Sequence, residues 1–186
     1  MSEIVGLPYD DSMYIPRFWL SSHPSIGTKF KVPGEDQVYF FTMKSPLSAK
    51  VNSLFPEKYR WGVKEVMEKV REDIPKADLH KYIFVSIELS DKVQPPKSDW
   101  DELHIQNHYC PIMHNYTIES LNNFNTKIRP DLTTSYKYLY LVSCNNGHDR
   151  CGVAISMYLM QKYDMKISDA YNLFKKSRWP GFYSQK

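Results

Sequence analysis

The stretch from Tyr138 to Met160 constrains this chain more than any other. The run Tyr138-Leu139-Tyr140-Leu141-Val142 reads as a buried strand. A small and polar segment follows, Ser143-Cys144-Asn145-Asn146-Gly147-His148-Asp149-Arg150-Cys151-Gly152. The chain then continues as Val153-Ala154-Ile155-Ser156-Met157-Tyr158-Leu159-Met160, which reads as a buried helix. A strand, a short loop and a helix N-terminus aim backbone N–H groups at one point and favour an anion there. The same field favours thiolate over thiol, so Cys144 is a candidate nucleophile. Arg150 carries a planar fork suited to two oxygens of one phosphate. Asn145, Asn146, Gly147, His148, Asp149 and Cys151 are the expected phosphate-binding residues around that pair. The alternative is a structural cysteine beside a surface arginine, but Asn-Asn-Gly-His-Asp is poor material for a core.

The rest of the composition fits one α/β domain over 1–186. The 186 residues suffice for a single sizeable core. With 24 Lys+Arg against 21 Asp+Glu the formal charge is +3, too weak to mark a nucleic-acid binder by itself. Cys110, Cys144 and Cys151 form no even framework, so a disulfide scaffold is not expected and a reducing compartment fits better. The first residues lack the basic start and apolar core of a signal peptide, and no apolar run reaches membrane-spanning length. The expectation is a nuclear or cytoplasmic protein with no membrane partner.

Residues 1–37 read as an irregular lead-in whose Phe18 and Trp19 pack onto the domain. The segment 38–43 reads as a strand stopped by Pro46. Val63, Val66, Met67, Val70 and Ile74 share one helical face, ended by Pro75. The segment 82–89 reads as a buried central strand. A polar loop with Pro95-Pro96 follows, then a weakly patterned strand between Leu103 and Tyr109. Thr117 is placed to cap a helix carrying Ile118, Leu121, Phe124 and Ile128 to the core. After the strand at 138–142 and the helix at 151–162, a last helix starts at Ser168. This alternation predicts a central, mostly parallel sheet flanked by helices. Ligands of such sheets sit at the carboxyl ends of strands, where Cys144 falls.

Cys144-x5-Arg150 resembles the loop of the cysteine-dependent phosphatases, which have a dual-specificity-like fold. Further segments are similar to the RNA 5′-triphosphatase branch, found in mRNA capping enzymes and in cellular and baculoviral relatives. They are Ile15-Pro16-Arg17-Phe18-Trp19, Phe41-Thr42-Met43-Lys44-Ser45-Pro46-Leu47, Ile87-Glu88-Leu89-Ser90 and Arg178-Trp179-Pro180-Gly181-Phe182-Tyr183. The resemblance implies a γ-phosphatase of triphosphate-ended RNA working through a phosphocysteine. It implies no cofactor, and an RNA 5′ end and a guanylyltransferase as partners. Lys44, Arg178, His114 and Glu88 become accessory candidates, with Lys44 and Arg178 contacting outer phosphates or standing as surface charges. Three positions depart from the pattern. Ser143 stands where the family has His, Cys151 where it has Ser or Thr, and Asp149 where it has Asn. The chain also stops at Lys186, short of the branch's final helix.

The residues 104–116 contain no carboxylate, although related phosphatases carry their general acid on such a loop. The remaining acid candidates are His114, Asp149, Asp101 and Glu102. A phenol or alkoxide leaving group needs a proton, whereas a nucleoside diphosphate departs without one, so the gap favours an anhydride substrate. His104, His108 and His114 fit neither a helix face nor a zinc spacing, so no metal is expected. Oxidation would admit a Cys144–Cys151 disulfide if the geometry allows it. Two other functions stay open: a non-catalytic module binding phosphate ends, and a phosphoinositide or protein phosphatase.

Overall fold

The architecture follows from the alternation of side chains along three parallel strands. Phe40, Tyr140 and Val142 point into one apolar cluster, while Phe41, Leu139 and Leu141 point into another on the opposite face. The computed structural model describes Trp19 and residues 25–93, 95–113 and 115–182. The sheet comprises β1 (Phe30–Lys31), β2 (Val38–Lys44), β3 (Tyr82–Glu88), β4 (Gln106–Tyr109) and β5 (Lys137–Cys144), in the order β1-β2-β5-β3-β4. Only β1 runs antiparallel to its neighbour. This is the mostly parallel sheet expected from the sequence.

Among the described residues six α-helices cover the two faces. On one lie α4 (Ile118–Asn125), α5 (Asp149–Tyr163) and α6 (Ile167–Ser177). The other is covered mainly by α2 (Val63–Glu72), with Trp61 and Trp100 packed beside it. The short α1 (Ala49–Asn52) and α3 (Lys97–Glu102) complete the set. Val63, Val66, Met67 and Val70 are buried as the helical pattern requires. Among the described residues no helix is long and apolar enough to cross a membrane.

Several local expectations are corrected. The lead-in 1–37 is not wholly irregular, because Phe30 and Lys31 pair with Phe40 and Tyr39. The polar loop after Pro95-Pro96 contains α3, nucleated where Trp100 is buried to 1 % exposure. The strand expected from Leu103 shortens to β4, because His104 takes a positive φ of 55° and Ile105 N–H bonds back to the Trp100 carbonyl at 3.0 Å. Thr117 does cap α4, accepting from Ser120 N–H at 3.3 Å. Ile118, however, is exposed, since the first helical residue lies beyond the edge of the core. Ile128 is buried but lies past the helix end. The helix α5 begins at Asp149 rather than 151, which puts Arg150 in its first turn. The helix α6 begins at Ile167 with Lys166 as its cap, not at Ser168.

The register decides what meets at the top of the sheet. Lys44 lies opposite Cys144, and Glu88 opposite Ser143. Three strands therefore deliver Lys44, Glu88 and Cys144 to one edge.

Candidate active site

Cys144 ends β5, and its loop is tied down on both sides. The Cys144 carbonyl accepts from Ser45 N–H at 2.8 Å and from Gly147 N–H at 3.1 Å. Gly147 adopts φ 73°, a left-handed conformation glycine alone takes at no steric cost. From the end of α6, Arg178 reaches under the loop. Its Nη2 donates to the Asn146 carbonyl at 2.8 Å and its Nε to the Gly147 carbonyl at 3.2 Å. In a planar trans peptide the next N–H points away from such a carbonyl, so this clamp turns the His148 N–H away from Arg178. His148 is buried, with Nδ1 2.7 Å from the Gly181 carbonyl. The Phe182 ring fills the space beside Gly152 that a Cβ would need. The segment 178–182 thus braces the loop from behind. This corrects the alternative that Arg178 is a surface charge: it is 2 % exposed and donates to the loop's own carbonyls.

Lys44 is not a surface charge either. Its Nζ lies 3.9 Å from the centre of the Trp19 ring and donates to the Trp19 carbonyl at 3.2 Å. Burial, assisted by the nearby Arg178 charge, pushes its pKa down to about 8. Trp19 and Trp61 fix this strand end by donating their indole N–H groups to the carbonyls of Ser45 (2.9 Å) and Lys44 (2.8 Å).

Glu88 sits fully buried beneath the cysteine. Its carboxyl accepts from Ser45 Oγ (2.8 Å), Ser90 N–H (2.7 Å) and Ser143 Oγ (2.7 Å). Burial pushes its pKa up against these bonds and against the pull of Arg150. Ser143 therefore links the carboxyl to the strand end next to Cys144. Ser90 in turn bonds the Asn145 side chain, joining the same network to the loop.

Burial raises the Cys144 pKa, but hydrogen bonds from the Cys151 side chain and backbone and the Arg150 charge outweigh it. The net result is a thiol more acidic than usual. The Cys151 thiol itself is held well above its ordinary value, first by burial, so it stays protonated and able to donate. Its one proton has a second acceptor, the Val142 carbonyl at 3.5 Å. The anionic sulfur is the stronger acceptor once Cys144 ionises. All three cysteines are buried free thiols. Replacing Cys151 by alanine is expected to raise the pH midpoint of Cys144 alkylation by iodoacetamide, with mass spectrometry locating the modified residue. An unchanged midpoint would remove Cys151 from the account of Cys144 acidity.

Arg150 is buried in the first turn of α5. Its Nη1 donates to Asn145 Oδ1 at 3.2 Å, and its Nη2 lies 2.8 Å from Asp91 Oδ1. Sequence reading passed over Asp91, Ser45 and Tyr116. Asp91 follows the quoted Ile87-Glu88-Leu89-Ser90, and its place just beyond a parallel strand's carboxyl end was the available signal. Tyr116 lies close enough for the Asp149 and Cys144 charges to raise its pKa, after burial as the main cause. Asp149 is half-buried in the first turn of α5. Asp101 and Glu102 end α3 just before β4 begins, toward the amino ends of the parallel strands and away from Cys144. His114 lies outside the described residues. Among those described, no group of three His, Cys, Asp or Glu is arranged to hold a metal. A cavity of about 330 Å³ between α1, α2 and α3 is lined in part by Glu102 and by no residue of the Cys144–Arg150 loop.

This loop at the carboxyl edge of a five-stranded, helix-flanked sheet defines a dual-specificity-phosphatase-like fold. No family model matches the chain, and no curated protein matches it either. Solved structures do. Tk-PTP in its active form is similar at a TM-score of 0.54 and 15% identity, over 87% of this chain and 90% of that one. A mutant form of Tk-PTP gives 0.52 and 16%, over 81% and 83%. Kinase associated phosphatase, with its catalytic-site cysteine replaced by serine, gives 0.53 and 14%, over 77% and 78%. At these identities the likeness is one of fold.

Proposed function

We propose that this chain is a cysteine-dependent phosphatase that removes the γ-phosphate from triphosphate-ended RNA. The observation that carries the reading is Cys144: a buried thiol of lowered pKa in one short loop with Arg150. The Cys144 thiolate attacks the γ-phosphorus and the bond to the bridging oxygen breaks, its electron pair leaving with the diphosphate end. Arg150 and loop amides stabilise the equatorial oxygens. Water then attacks the phosphocysteine, releasing phosphate and a proton and restoring the thiolate. Asn145, Asn146, Gly147, His148, Asp149 and Cys151 form the loop around the reacting group, with Lys44, Glu88 and Arg178 supporting it. The product end is the kind a guanylyltransferase partner would cap.

The acid question supports an anhydride substrate. The loop after β4 offers no carboxylate, and the Asp91 carboxyl is engaged by Arg150 at 2.8 Å. A diphosphate leaves without a proton, whereas a tyrosine phenol does not. A second reading, a protein phosphatase, is supported by the fold likeness to a Leishmania major chain named as a protein tyrosine phosphatase. The deciding experiment measures phosphate release from triphosphate-ended RNA, a phosphotyrosine peptide and a phosphoinositide side by side. The RNA is expected to have the highest kcat/KM by about 10²-fold or more, the size of contribution a missing general acid makes. Preference for the peptide or the lipid would overturn the substrate assignment. Release from none of them would leave a phosphate-binding module.

A further inference from the structure

We propose that Asp91 is a built-in counter-ion for Arg150, which an incoming phosphate must displace. The inference rests on the reading of the Cys144–Arg150 loop as a phosphate site and adds a residue that sets its affinity. The turn after β3 is fastened to the loop at several points. Leu89 N–H donates to the Ser143 carbonyl at 2.8 Å, Ser90 N–H to Glu88 Oε1 at 2.7 Å, and Ser90 bonds the Asn145 side chain. Tyr109 Oη donates to the Asp91 carbonyl at 3.3 Å from the edge strand. So held, the turn delivers the Asp91 carboxylate to 2.8 Å from Arg150 Nη2.

Three features mark this contact as a displaceable counter-ion rather than as the device that orients the arginine. Arg150 is already held from its other side by Asn145, at 3.2 Å from Nη1, and Asn145 is itself tied to Ser90. Removing Asp91 therefore does not set the guanidinium loose. The Asp91 contact is close but is not an aligned hydrogen bond, so its attraction is mainly that of charge for charge. The carboxylate is also the more open partner, 11% exposed against 5% for the arginine, which leaves it a way toward solvent. A phosphate that engages Arg150 through two parallel N–H bonds competes with that carboxylate for the same fork. Either Asp91 moves away and the ion pair is lost, or it stays and repels the ligand. Both outcomes weaken anion binding.

The test is titration of the full chain with inorganic phosphate, followed by calorimetry or by the amide resonances of the loop, in the wild type and in Asp91→Asn. The amide keeps the shape of the side chain and removes its charge. The proposal expects phosphate to bind about tenfold more tightly to Asp91→Asn, in line with the effect of one like charge beside an ionic site. Asp91→Ser, smaller and uncharged, is expected to shift affinity in the same direction and serves if the asparagine variant folds poorly. Equal or weaker binding in folded variants would overturn the counter-ion role and make Asp91 an orienting residue. Failure of wild type and variants alike to bind phosphate would instead remove the phosphate-site reading on which the inference rests. Tighter binding in the variants alone still supports the counter-ion.

Discussion

Cys144→Ser is expected to lower phosphate release from triphosphate-ended RNA by about 10⁴-fold or more, the scale seen when a covalent nucleophile is removed. The serine hydroxyl is far less acidic than the thiol, and the surroundings that ionise sulfur are too weak to ionise it. Burial opposes the charged form at this position, and only Arg150 and the Cys151 bonds work the other way. Sulfur and oxygen are close enough in size that the fold should survive, since the strand pairing of Lys44 with Cys144 uses backbone alone. Thermal unfolding and phosphate binding in the serine variant, measured together with phosphate release, separate loss of chemistry from loss of structure. Wild-type turnover by that variant would disprove the phosphocysteine route.

Gly147→Ala is the second large effect, and it acts on geometry rather than chemistry. A Cβ at Gly147 would stand 2.3 Å from the Met43 carbonyl carbon, 2.5 Å from its oxygen and 2.7 Å from the Lys44 nitrogen. All three are backbone atoms of β2, locked in register against Ser143 and Cys144. They have no rotamer to retreat into, so the loop itself must move, and with it the carbonyls that Arg178 grips. The left-handed φ of 73° adds its own cost for any side chain. Together the two effects should destabilise the protein by about 2–4 kcal/mol. For a domain of this size that lowers Tm by about 5–15 °C. A shift of about 1 Å in the loop should reduce kcat/KM by about 10²-fold. Gly34→Ala is the matched control. It shares a positive φ, 77°, but has nothing within 4 Å of the added carbon. Only the conformational cost applies there, and activity should not change. Similar losses at both positions would refute the close-approach argument.

The legible parts of this protein were those whose information is local. Strand β5, the loop and α5 form one contiguous segment, with apolar periodicity on both sides and polar residues between. The parallel sheet was legible for a related reason: β3 is apolar almost throughout, because both of its faces are covered. Boundaries were less legible. Trp100 reads in sequence as one aromatic in a polar loop, and only its burial on the face of α2 makes a helix of residues 97–102. Ile118 illustrates the reverse case, fitting the helical pattern of α4 while the core begins only one turn later, at Leu121.

Within the site the same division holds. Cys144 and Arg150 are separated by a fixed number of residues on a strand–loop–helix unit, so chain connectivity alone brings them together. Arg178 reads in sequence as one more basic residue, and the approach of α6 to the loop brings it onto the Asn146 and Gly147 carbonyls. Lys44 becomes a buried cation with a lowered pKa only because β2 ends opposite Cys144 and Trp19 covers it. Asp91 meets Arg150 across 58 intervening positions, since β3 and β5 are neighbours in space but not in sequence. Short-range order along one segment sets the spacing of Cys144 and Arg150 and the sheet edge they occupy. Tertiary structure decided which charges surround them, because electrostatic environment depends on burial and on contacts between distant strands.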